Sequence, residues 1–111
     1  MPPIDRDLAR WRQYRRIAKE LIDKTAGYPP SHLDHAIRTR AEDMAAEDIK
    51  PYVALARQLG HGWMESDSGR AVVCILDAQR RIHERELRAT VEAMQADLEI
   101  EAELDAEGGE A

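Results

Sequence analysis

The sequence predicts an all-α protein: a small bundle of four helices with a long C-terminal helix and an acidic, frayed tail. Three observations support this fold class. Apolar residues recur at spacings of three and four over most of the 111 residues, prolines and glycines divide the chain into a few uninterrupted segments, and no segment alternates with the period of two of a half-buried strand. A chain of this length forms one domain. We expect that domain over residues 1–100 and a disordered acidic tail over residues 101–111.

The first predicted helix runs from about Asp5 to Thr25, and Gly27 follows it as a C-terminal stop. Its large apolar residues fall on one broad face at about 100° per residue. That face is expected to include Trp11. Because the chain contains no Phe and only 5% aromatic residues, we expect Trp11 and Trp63 to contribute to the core.

Two short helices are predicted in the middle of the chain. Ser31 follows two prolines and is expected to cap a helix that ends near Glu47. Pro51 reads as an interruption because proline lacks an N–H and belongs in a first helical turn. A separate third helix is therefore predicted from Tyr52 to Leu59, with Gly60 as its stop.

The last predicted helix is the longest. Ser66 is one of several good N-cap residues at its start, and Gly69 is followed by no proline or glycine until Gly108. The stretch Val72–Leu76 also suits a strand, but the helical pattern continues beyond it without a turn. The apolar spacing stops at Leu98, and the acidic residues beyond it predict a fraying helix and then disorder.

Charge is distributed unevenly along this acidic chain, whose formal net charge is −6. Trp11 and Tyr14 lie on the first helix beside a basic stripe that could bind the phosphates and bases of a single-stranded nucleic acid. The same stripe fits an acidic protein partner, or a solvated face neutralised by Glu20, Asp23 and the acidic last helix. The stripe has four members at positions i, i+3, i+4 and i+7: Arg12, Arg15, Arg16 and Lys19.

Three polar residues of the last helix, Gln79, His83 and Glu86, project toward its apolar side at i, i+4 and i+7. Buried polar groups need partners, so three interpretations stay open. The residues form a polar layer that fixes helix register, a ligand or acid–base site inside the bundle, or part of a half-covered face that binds a partner. On the last interpretation Trp63 and Met64, in the preceding loop, are further partner-binding candidates.

No catalytic or metal-binding constellation is predicted, and no cofactor. His32 and His35 share a helical turn but lack the further ligands that a metal site needs. Cys74 is the only cysteine, so an ordinary free thiol is expected. The chain lacks an apolar run of about 20 residues and a signal-peptide pattern, and we expect a cytoplasmic protein without membrane contact.

The leading functional hypothesis is a non-enzymatic protein that binds a protein or nucleoprotein partner stoichiometrically and inhibits or regulates it. Small inhibitors from phages and mobile elements, such as anti-CRISPR proteins and antitoxins, share this size and charge, which is an analogy and not a motif match. A homodimer through the long C-terminal helix is a further expectation. The alternatives are single-stranded nucleic-acid binding by the basic stripe, including DNA binding, and an enzyme or ligand-binding bundle around His83 and Glu86.

Overall fold

The computed structural model describes the backbone of residues 3–60 and 62–109 and the side chains of residues 7–60 and 62–106. Its elements are three α-helices and one short 3-10 turn: α1 (Pro3–Thr25), α2 (Pro30–Arg57), the 3-10 turn (Trp63–Glu65) and α3 (Asp67–Gly109). No strand occurs within the described ranges, so the all-α prediction is confirmed. The stretch Val72–Leu76 lies inside α3.

The predicted count of four helices is wrong, because the second and third predicted helices form one. α2 continues through Pro51, which leaves the carbonyl of Glu47 without its usual N–H donor. Both residues are exposed, so water can satisfy that carbonyl. The buried residues of α2 keep one helical register across the proline, from Ile49 to Ala56. Burial of this continuous face outweighs the local tendency of proline to end a helix.

The chain divides into two compact units, and unit 2 comprises Asp34–Arg85. In this unit α2 and the first part of α3 run antiparallel. Residues early in α2 contact residues late in the unit, as Arg38 does with Glu84, whereas Ala56 near the end of α2 shares a cluster with Val72 near the start of α3.

An apolar cluster holds the closed end of this helical hairpin together. Its buried members are Ile49, Ala56 and Val72, and the partly buried residues Val53, Trp63, Ile75 and Leu76 pack against them. Trp63 therefore contributes to the core as predicted, although it is only half-buried. Because alanine buries little apolar area, the branched residues and the indole supply most of the hydrophobic stabilisation here.

Unit 1 comprises Met1–Leu33 and Glu86–Ala111, which contain α1 and the last part of α3. Its buried apolar residues are Tyr14, Ile17, Ala18, Leu21, Leu87 and Val91. The four residues of α1 in this set are spaced i, i+3, i+4 and i+7, so they form one helical face.

The prediction that Trp11 lies in the core is wrong. Trp11 is 53% exposed and Leu8 is 46% exposed, whereas Tyr14 is 4% exposed. Trp11 lies about 60° around the helix from Tyr14, on the border of the buried face. A sequence pattern cannot decide whether such a border position is covered, and the smaller aromatic ring occupies the core.

The helix ends agree with the sequence in part. Ser66 caps α3 as predicted, because its Oγ accepts a hydrogen bond from the N–H of Gly69 at 3.1 Å. α2 begins at Pro30, so Ser31 lies in the first turn and not at the predicted cap position.

The acidic stretch that the sequence predicts to be disordered continues α3 as helix to Gly109. Its Glu, Ala and Leu residues have high helix propensity. Every side chain from Gln95 to Ala106 is exposed, so packing does not explain this helicity. Residues 110 and 111 lie outside the described residues, and the division into a domain over 1–100 and a tail stays a prediction.

Candidate functional site

The three polar residues of α3 that the sequence places on one face differ in exposure. His83 is 5% exposed, Gln79 is half-buried and Glu86 is exposed. Only His83 is therefore a polar residue of the interior, and its environment determines what it can do.

His83 of α3 contacts Asp48 of α2. The distance between His83 Nε2 and Asp48 Oδ2 is 2.6 Å, and the side chain of Asp48 is 38% exposed. An ionised carboxylate only accepts hydrogen bonds, so the Nε2–H of His83 is the donor. The contact joins two helices of unit 2 and satisfies a buried imidazole. The side chain of His83 thus links α3 to α2.

Replacing Asp48 with Ala is expected to lower the free energy of unfolding by about 1–3 kcal/mol, because the buried N–H of His83 loses its acceptor. Urea denaturation followed by circular dichroism measures this loss. Asp43→Ala, an exposed position on the same helix, controls for helix propensity and should change stability by less than about 0.5 kcal/mol. Adding His83→Leu to Asp48→Ala should recover part of the loss. Equal effects of Asp48→Ala and Asp43→Ala would show that the contact stabilises nothing.

Ion pairs accompany this contact on the same hairpin. Glu84 lies 3.6 Å from Arg38 of α2 and 3.1 Å from Arg80 of α3, and Arg80 also lies 3.1 Å from Asp77. Such partly exposed pairs contribute about 0–1 kcal/mol each. Their main consequence is register: together with His83 they fix which residues of α2 face which residues of α3.

The closed end of the hairpin carries an apolar groove, named here the hairpin groove. Its lining comprises Tyr52, Leu55, Ala56, Leu59, Ser68, Ala71, Val72 and Ile75. Its volume is about 270 Å³ and it is open to solvent. Tyr52, Leu55 and Leu59 are 49%, 63% and 58% exposed, respectively. Tyr52 and Leu55 lie about one turn apart near the end of α2, Leu59 lies in the turn that follows it, and all three remain uncovered within unit 2.

The 3-10 turn lies in the same unit, and its two large apolar residues differ in solvent exposure. Trp63 packs against the apolar cluster, whereas Met64 is 58% exposed. Of the two residues predicted to bind a partner, Met64 therefore has the accessible side chain.

The basic stripe of α1 is accessible. Arg12, Arg16 and Lys19 are exposed and Arg15 is half-buried. Between residues 8 and 19 the chain has five basic residues and no acidic one. Within the described residues the stripe forms no ion pair, although Asp23 lines a groove together with Arg15 and Lys19.

The exposed indole of Trp11 lies against the stripe. The guanidinium carbon of Arg15 is 5.0 Å from the centroid of the Trp11 ring, which is a cation–π contact. Tyr14, the other aromatic residue that the sequence offers for base stacking, is buried.

A second groove, in unit 1, has walls of opposite charge and is about 350 Å³ in volume. Arg15, Lys19 and Asp23 of α1 line it together with Asp97 and Glu101 of α3. Its apolar lining is formed by Ile22, Met94 and Leu98.

The described residues contain no group of three or more His, Cys, Asp or Glu side chains that could hold a metal ion. His35 and Thr39 are 3.5 Å apart at their side chains, and the ring of His32 contacts that of Tyr28 edge-on at 4.9 Å. Both histidines thus have local, structural contacts. Cys74 is exposed and is not in a disulfide.

The described residues define a small α-helical protein with exposed candidate surfaces in each of its two units. Comparison with protein-family models, with curated proteins and with solved structures finds no match to this chain. No described helix combines the length and the apolar character that crossing a membrane requires.

Sequence reasoning missed two features of these sites. The predicted interruption near Pro51 hides Asp48 as a partner of His83, because the register of α2 continues through both residues. The short helix predicted from Tyr52 to Leu59 has an apolar face, yet the structure buries only Ala56 of it. Three large apolar residues around one alanine, Ala56, were the available signal.

Proposed function

We propose that this chain is a non-enzymatic binding protein that attaches stoichiometrically to a protein or nucleoprotein partner and inhibits or regulates it. The hairpin groove is the observation that carries the proposal. Clustered large apolar side chains on the surface of a small protein mark interaction sites, because leaving them in water is unfavourable.

The energetics of the hairpin groove favour a protein ligand. Covering an exposed Leu contributes about 1.5–3 kcal/mol, and the groove offers Leu55, Leu59 and the ring of Tyr52. Pockets that enclose small molecules range from about 300 to 1,000 Å³ and cover most of the ligand. The hairpin groove is smaller and open, which suits the side chains of an apposed protein surface. Met64 extends the accessible apolar surface of the same unit.

His83 enters the proposal as a supporting residue. It is buried against Asp48 and aligns the helices that form the groove. Gln79 and Glu86 remain candidate partner-binding residues. A homodimer through α3 remains an expectation, and an enzyme or ligand-binding role around His83 and Glu86 remains the alternative function. By analogy of size and charge, a phage or mobile-element inhibitor is the favoured type of regulator.

The proposal is tested with groove variants as bait. Leu55→Glu places a charge in the groove, and Gln58→Glu places one on an exposed neighbouring position outside it. We expect wild type and Gln58→Glu to capture the same protein from extracts of the native host, and Leu55→Glu to lose it. An uncompensated buried charge in the interface should weaken binding at least about 30-fold, which corresponds to about 2 kcal/mol.

Calorimetric titration of the captured protein should then give a stoichiometry near one, and its activity should fall in proportion to complex formed. Thermal melting must show that Leu55→Glu is folded, which the exposure of Leu55 leads us to expect. Identical capture by Leu55→Glu and wild type would contradict a role for the groove. Turnover of the captured protein by this chain would contradict stoichiometric action.

A further inference from the structure

The exposed surface of α1 belongs to unit 1, whereas the hairpin groove belongs to unit 2. Residues 8–19 carry five cations and no carboxylate on a chain whose formal net charge is −6. We infer that the basic stripe and Trp11 together form a binding site for single-stranded nucleic acid, in which the cations bind phosphates and the indole stacks on an unpaired base.

The charges of the stripe are available to a ligand. Three of its four side chains are exposed, and none forms an ion pair within the described residues. A phosphate bound to Arg12, Arg16 or Lys19 therefore breaks no ion pair among the described residues, and Arg15 keeps its contact with the Trp11 ring on the same helix. Release of counterions from the nucleic acid then drives binding and makes it depend on salt.

Trp11 distinguishes this surface from a merely solvated basic helix. Its 53% exposure leaves apolar aromatic surface in water beside the cations, and the contact with Arg15 at 5.0 Å holds a guanidinium next to the ring. Combined stacking and phosphate contact is how proteins bind single strands without reading sequence.

The aromatic residue also decides between classes of ligand. An acidic protein surface would use the four charges and would have no particular use for an exposed indole. In a duplex the bases are stacked on one another and their faces are not accessible to Trp11. An unpaired nucleotide supplies both the charge and the free ring face.

Three carboxylates oppose the proposed ligand. Asp23, Asp97 and Glu101 line the same groove as Arg15 and Lys19, so they repel a phosphate bound at those side chains. We therefore expect the strand to lie toward the Arg12 and Arg16 side of the stripe. Removing the two carboxylates of α3, Asp97 and Glu101, should strengthen binding.

The test uses the full chain and a fluorescein-labelled oligothymidylate about 20 nucleotides long, with binding followed by fluorescence anisotropy. Dissociation constants in the micromolar range are expected for sequence-independent binding. If all four cations of the stripe neutralise one phosphate each, affinity should fall about 50-fold between about 50 and 200 mM salt.

Variants locate the site. Trp11→Ala should weaken binding between about 5-fold and about 150-fold, the range for loss of one stacked base, whereas Trp11→Phe keeps an aromatic face and should stay close to wild type. The double variant Arg12→Glu/Arg16→Glu should weaken binding by more than about tenfold. Arg57→Glu/Arg85→Glu has the same net charge at exposed positions of unit 2 and should change binding far less. Asp97→Asn/Glu101→Gln should bind more tightly than wild type.

Four results would overturn the inference. Undetectable binding of the oligothymidylate at about 50 mM salt would contradict the inferred site, since the electrostatic contribution to binding is largest at low salt. Unchanged affinity in Trp11→Ala would remove the stacking role. Equal affinity for a duplex of the same length would contradict preference for single strands. Competition by polyglutamate as strong as that by the oligonucleotide, and independent of Trp11, would assign the surface to acidic proteins instead.

Discussion

The Leu87→Ala variant is expected to lower the free energy of unfolding by about 2–5 kcal/mol. Leu87 is 0% exposed and is among the largest fully buried side chains of the protein. Truncation removes buried apolar area and leaves a cavity that neighbouring residues fill only in part.

This loss is large relative to the whole stability of a small domain, which is about 5–15 kcal/mol. Urea denaturation followed at the helical circular-dichroism band measures it directly. Leu104→Ala is the matched control, because Leu104 lies on the same helix and is 60% exposed. The control should change stability by less than about 0.5 kcal/mol. A similar, small loss in both variants would show that Leu87 is not a core residue.

Apolar spacing was sufficient to predict the all-α fold class, and a glycine and a capping serine predicted two of the helix ends. The end of α1 at Thr25 and the cap at Ser66 follow from short-range rules, because a glycine after the helix and a hydroxyl before it act within one turn. Such features do not depend on what packs against the helix, so they can be predicted from the neighbouring residues.

The number of helices was not predictable from the same rules. Pro51 costs an internal hydrogen bond locally, but the buried face from Ile37 to Ala56 belongs to one continuous helix that packs on α3. The outcome is a balance between a local penalty and burial against a distant segment, and only the first of these is visible in the neighbouring residues.

A candidate site was predictable from the sequence when one helix contains all of its residues, and was not predictable when it depends on contacts between segments. The basic stripe lies on one helix, so its spacing alone gave its four members. The burial of Tyr14 in place of Trp11 depends on which side of α1 is covered by other segments. The contact of His83 with Asp48 depends on the register between α2 and α3. The hairpin groove depends on how all the segments of unit 2 pack together, so the sequence of no single segment predicts it.

Gly69→Ala is expected to destabilise the protein by about 1–3 kcal/mol, the usual range for forcing extra atoms into a packed site. Gly69 lies in the first turn of α3 and is buried. A Cβ at this position would collide with the carbonyl oxygen of Trp63, and would lie 2.7 Å from the Cα and 2.8 Å from the carbonyl oxygen of Met64. All three atoms belong to the backbone of the 3-10 turn, so no side-chain rotation relieves the contact.

The direction of this effect is informative because helix propensity predicts the opposite. Inside a helix Ala is favoured over Gly by about 1 kcal/mol, so without the close approach the variant would be stabilised. The added Cβ must instead push the turn away from α3, which draws Trp63 out of its cluster with Ile49, Ala56 and Val72. In a Trp11→Phe background Trp63 is the sole tryptophan, and its fluorescence should shift to longer wavelength as the indole gains exposure. Ser68→Ala, at the exposed neighbouring position, is the control and should leave both fluorescence and stability nearly unchanged. If Gly69→Ala melts at a higher temperature than wild type, the 3-10 turn does not pack on α3 as closely as described.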